Sequence, residues 1–189
     1  MDNVPVLVGD TATSEDSCVH AVVESRGLRS ICDLGCGDGR NLIHLASVGA
    51  IDFGFGVDAE LHQTFEIGNI KPLPAVRLKL AFHKGDWREA EQFVPPIPFQ
   101  LCYSNNVLEH LPAEDADEFI AASIRIGNGL AFHVLPIEKT HWDGKYHLAS
   151  WPIADYRALL ERHGEILDFG QCGNGNMVGL VKGSGRWRE

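Results

Sequence analysis

Residues 31–46 read ICDLGCGDGRNLIHLA, and the rest of the chain is organised around them. A short apolar run, Ile31, Cys32 and Leu34, carries one acid, Asp33, and then breaks into glycine at alternate positions, Gly35, Gly37 and Gly39. Leu42, Ile43, Leu45 and Ala46 follow on one side of a helical pattern. Strand, tight turn and helix start, in that order, are the first unit of a Rossmann-like α/β domain. A residue without a Cβ takes φ > 0 readily and lets a ligand lie against bare backbone. Dinucleotide-binding turns have the spacing G-x-G-x-x-G and set a pyrophosphate at the helix N-terminus. Here the third glycine comes one residue early, Arg40 stands where that pattern has Gly or Ala, and an acid lies two residues before the first glycine. That acid is unfavourable to phosphate and suits a cationic ligand.

The 189 residues are enough for one domain with a full sheet and helices on both faces. The apolar fraction of 44% and charged fraction of 22% match an ordinary soluble domain. No apolar run reaches the length of a membrane span, and the first sixteen residues carry no signal-peptide pattern. Cys18, Cys32, Cys36, Cys102 and Cys172 are scattered and odd in number, which reads as reduced buried thiols in a cytoplasmic protein. A formal charge of −10 argues against a polyanionic partner unless a local basic patch overrides it. The best patch, Lys71, Arg77, Lys79, Lys84 and Arg88, is interleaved with Asp86, Glu89 and Glu91, so nucleic acid is not the expected partner.

Residues 1–13 lack periodicity and read as an N-terminal arm, and 184–189 as a tail. Between them, 14–183 read as one domain. Helical spacing over Cys18, Val19, Val22 and Val23 ends at Gly27, and the helix after the glycine turn closes at Gly49. Residues 53–58 alternate as a strand and end at Asp58. This acid lies roughly twenty residues past the turn, where nucleotide folds place a carboxylate for ribose hydroxyls. A short helix over 59–67, strands at 78–83, 99–104 and 129–137, and helices at 89–93, 113–126 and 151–163 follow. Two further strands, 165–169 and 177–181, complete the pattern.

The segment D-L-G-C-G-D-G resembles motif I of the class I S-adenosylmethionine-dependent methyltransferases, whose cofactor has an ammonium, a sulfonium and no phosphate. The resemblance extends over about residues 14–183. It implies a doubly wound sheet of about seven strands, mostly parallel with an antiparallel C-terminal strand, and helices on both faces. It implies S-adenosyl-L-methionine bound by Asp33, Gly35, Cys36, Gly37 and Gly39 of the turn and by Asp58 with Ala59. Asp86 resembles the family's adenine-binding acid, with Trp87 over the ring; a turn aspartate and a packing indole are the plain alternatives. S-N-N-V-L-E-H-L-P resembles the motif after the fourth strand, where Asn105, Asn106 and Val107 back the cofactor and Glu109 and His110 face the acceptor. Gln100 departs from the family, which often has Asp there.

Methyl transfer from a sulfonium is an in-line displacement that alignment alone can accelerate, so no catalytic motif is required. An oxygen acceptor of high pKa needs a base, and histidine suits neutral pH. His110, His141 and His147 follow the fourth and fifth strands, at the ligand-binding edge of such sheets. His133, inside a strand, reads as packed. The loop 138–150 is rich in charged, aromatic and imidazole groups and is expected to close over the acceptor. Small-RNA 2′-O-methyltransferases of the Hen type are similar around Glu109, His110 and a later histidine, and hold a divalent metal there. Asn106 stands where their first glutamate belongs, so no metal is expected. The patterns of base-amine, cytosine-C5 and catechol-type enzymes are absent. The expected function is methyl transfer to O or N of a small-molecule or peptide acceptor, with no membrane partner and no stated oligomeric state. The rivals are a methyltransferase-like binding or scaffold protein without turnover and, third, a dehydrogenase.

Overall fold

The computed structural model describes residues 15–61, 79–136, 147–172 and 175–184. The expected arm over 1–13, most of the proposed short helix over 59–67, His141 and the bulk of the loop 138–150 lie outside the described residues. Seven strands run β1 Ser30–Leu34, β2 Phe53–Asp58, β3 Lys79–Lys84, β4 Leu101–Asn105, β5 Leu130–Pro136, β6 Glu165–Cys172 and β7 Asn176–Lys182. They form one sheet in the order β3-β2-β1-β4-β5-β7-β6. All neighbours are parallel except β7, which is antiparallel to both β5 and β6. The order reverses beside β1, so the crevice where such sheets bind ligands opens at the glycine turn.

Alternation along the strands divides the core into two faces. Ile31 of β1 and Leu101 and Tyr103 of β4 join Val19, Val22 and Val23 of α1 (Glu15–Ser25) and Leu42, Leu45 and Ala46 of α2 (Arg40–Ser47). Cys32, Leu34 and Cys102 join the opposite face under α3 (Ala90–Phe93), α4 (Ala116–Ile126) and α5 (Ile153–His163). Among the described residues no helix is long and apolar enough to cross a membrane.

Local chemistry adjusts several boundaries. β4 begins at Leu101 because Gln100 acts as a clasp: its side-chain carbonyl accepts from the amides of Arg29 (2.6 Å) and Ser30 (3.1 Å). The helix expected at 89–93 starts as a 3-10 turn at Trp87, capped by Asp86, whose carboxylate accepts from the Arg88 amide at 2.8 Å. β6 runs on to Cys172, opposite Asn176.

The cysteines need one correction. Cys32, Cys36 and Cys102 are free and buried, as expected of thiols in core elements. Cys18 and Cys172, 154 residues apart in sequence, are instead joined as a disulfide with a Cα–Cα distance of 6.4 Å. Sequence spacing could not reveal it, because the sheet order alone brings the end of β6 against α1. The cytoplasmic expectation rested on five reduced thiols, and this bond removes that support. Closing so long a loop restrains the unfolded chain. The Cys18→Ala/Cys172→Ala double variant should therefore lose about 2–4 kcal/mol, read as a lower urea midpoint. Reduction with dithiothreitol should reproduce the loss in the native chain but not in the variant.

Candidate functional site

The turn after β1 is built by close approach. Gly35, Gly37 and Gly39 all have positive φ (81°, 54° and 73°). A Cβ on Gly35 would run into Val107, and one on Gly39 into the Phe82 ring, whereas one on Gly37 would meet nothing within 4 Å. Gly37 is thus the point where bare backbone faces open space. Its amide donates to Asp58 Oδ2 at 2.7 Å, and Asp58 Oδ1 accepts from the Glu60 amide at 2.7 Å. The acid that ends β2 therefore holds the turn in place while lying beside it. Cys36 is buried in this turn, its sulfur sitting where a side chain on Gly56 would be, and burial pushes its thiol pKa well up.

Asp33 is 1% exposed. Burial raises its carboxyl pKa to about 7, against the hydrogen bond from Tyr103 and with a further rise from the Asp58 charge. Tyr103 Oη donates to Oδ2 at 2.6 Å, and Oδ1 is buried with no hydrogen-bond partner. Asn105, ending β4, also has a buried Oδ1 without a partner. Asn106 is left-handed (φ 55°) and its amide donates to Val134 O at 2.9 Å, which turns the chain so that Val107 can press on Gly35.

Asp86 and Trp87 have local duties. Both Asp86 oxygens are engaged by Arg88, which also pairs with Asp115. The Trp87 indole meets Phe119 edge-on at 5.2 Å, and the Arg88 guanidinium lies 4.8 Å from its centroid. His133 is packed, as expected: fully buried, with Nδ1 2.8 Å from Ser104 Oγ, and burial lowers its pKa to about 3.

A second group forms beyond β4. The amides of Leu148 (2.7 Å) and Ala149 (3.1 Å) both donate to the Glu109 carbonyl, and Trp151 Nε1 donates to Leu108 O at 3.3 Å. These bonds dock residues 147–151 on the turn after β4. Glu109, His110 and His147 then present one ligand atom each, all within 4.8 Å of one another, with the two imidazole centroids 4.8 Å apart. Glu109 is buried and His110 exposed. Two of the three expected histidines are thus brought together with a buried carboxylate. A cleft of about 500 Å³ lies along the docked segment, lined by Leu148, Ser150, Trp151, Asp155 and Arg162 among others but by none of Glu109, His110 and His147. Tyr103 was missed by the sequence reading. In the sequence it is only a hydroxyl in an apolar strand; the register that sets it opposite the motif acid exists only in the folded sheet.

No protein-family model matches the chain, and no curated protein matches it in sequence. Solved structures do resemble it in fold. The magnesium protoporphyrin IX methyltransferase of Synechocystis PCC 6803, with bound S-adenosylhomocysteine, aligns at 19% identity and a TM-score of 0.68, over 89% of this chain and 82% of that one. The methyltransferase domain of a bacterial Hen1 aligns at 17% and 0.66, over 88% and 96%. A putative methyltransferase in complex with the Haloferax volcanii Trm112 activator aligns at 16% and 0.67, over 89% and 91%. The fold is that of the class I methyltransferases.

The turn geometry separates steric from ligand-facing glycines. Gly35→Ala and Gly39→Ala should each suffer overpacking of about 1–3 kcal/mol in addition to the left-handed penalty. Gly37→Ala should show only that penalty, roughly 1–2 kcal/mol. Urea unfolding of the three variants measures the difference; equal losses would refute the assignment.

Proposed function

We propose that this chain transfers a methyl group from S-adenosylmethionine to an oxygen or nitrogen of a small or medium-sized acceptor. The observation that carries the reading is the turn after β1, where the Asp33 carboxyl is buried with one oxygen unpartnered and the Gly37 backbone faces open space beside Asp58. These groups fit an ammonium and ribose hydroxyls, and two carboxylates there would oppose a pyrophosphate. When bound, the cofactor supplies an electrophilic methyl on a sulfonium. Asp33, Gly35, Cys36, Gly37, Gly39, Asp58, Ala59, Asn105, Asn106 and Val107 are the groups proposed to hold it. Asp86 and Trp87 are proposed to serve the adenine from the rim, beside their duties to Arg88 and Phe119. The chain's own task is then to align the acceptor, which accounts for much of the rate in such displacements.

S-adenosylhomocysteine at about 100 times its dissociation constant should raise stability by roughly 2.7 kcal/mol in a thermal-shift assay, and NAD far less. Asp58→Ala should weaken binding roughly ten- to a hundredfold, through lost charge-assisted hydrogen bonds and a loosened turn. Protection by NAD but not by S-adenosylhomocysteine would overturn the reading.

For the acceptor, His147 or His110 is proposed as the general base, oriented by the buried Glu109. A second reading is favoured by the same cluster: one carboxylate and two imidazoles within 4.8 Å are a donor set for zinc, manganese or iron. A metal there would polarise an acceptor hydroxyl, such as the 2′-hydroxyl of RNA. Asn106 supplies no carboxylate, so that set is one anionic ligand short of the Hen-type pattern. Once an acceptor is found by screening, the two readings separate. A base predicts that His147→Ala or His110→Ala lowers kcat by about 10²–10⁴ with no effect of a chelator. A metal predicts loss on chelation, restored by adding the ion. Full kcat in both variants and under chelation would leave alignment alone as the account.

A further inference from the structure

This inference rests on the cofactor reading above and concerns a residue outside the expected site. Tyr103 and Asp33 stand opposite each other in the parallel register of β4 and β1, so their side chains leave the sheet on the same face. The phenol donates to Asp33 Oδ2 at 2.6 Å, which uses one carboxylate oxygen. The other, Oδ1, is buried and unpartnered. Two residues on, at the carboxyl end of β4, Asn105 falls on that same face, and its Oδ1 is likewise buried and unpartnered. Two buried acceptors without donors, beside a turn of bare backbone, call for a group that donates several hydrogen bonds and bears positive charge. A primary ammonium does both.

We propose that Tyr103 is a positioning residue of the cofactor site: it holds one oxygen of Asp33, presents the other to the ligand's ammonium, and thereby couples cofactor binding to release of the Asp33 proton. The carboxyl O–H bond breaks and its proton passes to water or buffer, leaving a carboxylate whose charge the ammonium neutralises; no other covalent bond changes.

The electrostatic surroundings support the coupling. Asp33 is faced by Tyr103 from β4, by Cys36 from the turn and by Asp58 from the end of β2. Burial holds the Tyr103 and Cys36 protons on, so neither ionises in the ordinary range. On the helices over this face, His20 pairs with Glu24 at 3.1 Å and its ring meets His44. With its carboxyl raised to about 7, the free site is close to half protonated at neutral pH. An ammonium stabilises only the ionised carboxylate, so the complex binds fewer protons than the free protein and affinity rises with pH. The rise should approach tenfold per pH unit below about 7 and level off above it. Tyr103→Phe keeps the ring but removes the bond that favours ionisation. Its plateau should move to higher pH, with affinity several-fold weaker at pH 7 and near wild type at pH 8.5.

Titration calorimetry with S-adenosylhomocysteine tests this from pH 5.5 to 8.5, in two buffers of different ionisation heat. The wild type should release close to one proton per ligand at pH 5.5–6, about half a proton at pH 7 and almost none at pH 8.5. Asp33→Asn should release none and bind with no pH dependence, and Tyr103→Phe should show the displaced profile. Binding by the wild type that is flat in pH, or a folded Tyr103→Phe with the wild-type profile, overturns the proposal and leaves the cofactor reading standing. Should Tyr103→Phe fail to fold, the comparison of wild type with Asp33→Asn decides the coupling. An absence of binding at every pH overturns the cofactor reading itself, and this proposal with it.

Discussion

Val107 presses on the turn after β1 at Gly35 and Phe82 presses on it at Gly39, so closely that neither leaves room for a Cβ. Gly35 and Gly39 meet that constraint, in conformations that a side chain would strain. Gly56, on the neighbouring strand, makes the same concession to Cys36. Polar bonds then orient the turn: the Gly35 and Cys36 amides donate to Val57 O, the Gly39 amide to Cys36 O, and the Gly37 amide to Asp58. The residue at the open point of the loop is thus tied to the acid beside it.

Beneath the turn the same crowding creates charge chemistry. A central strand flanked on both sides cannot give Asp33 water, so its carboxyl is held partly protonated and its hydrogen bonding comes from Tyr103. A fully apolar residue would pack there at no electrostatic penalty. An acid kept in such a place, with one oxygen unpartnered, is more consistent with a ligand than with stability. The histidine cluster beyond β4 is assembled differently. Glu109, His110 and His147 meet because the Leu148 and Ala149 amides, thirty-nine and forty residues on, both reach the Glu109 carbonyl. The proposed cofactor site at the β1 turn and the Glu109–His110–His147 cluster thus rest on different hydrogen bonds along one carboxyl edge of the sheet.

Alternating glycines after an apolar run, an acid at the end of the next strand and the helical spacing of Leu42 and Leu45 are local patterns, and each dictates a local conformation. That is why the strand–turn–helix unit, the seven strands and the placing of Asp33 and Asp58 beside the turn could be read from the chain alone. What depends on contacts between distant segments could not be. The partner of Asp33 is seventy residues away, and only the β1–β4 register identifies it. Cys18 and Cys172 carry no spacing signal, yet the sheet order sets them together. Asp86 and Trp87 look the same in sequence whether they meet a ligand or Arg88 and Phe119. Side-chain identity and periodicity act over a few residues and so decide local structure, while solvent exclusion and hydrogen-bond pairing act through space and are decided only when the sheet closes.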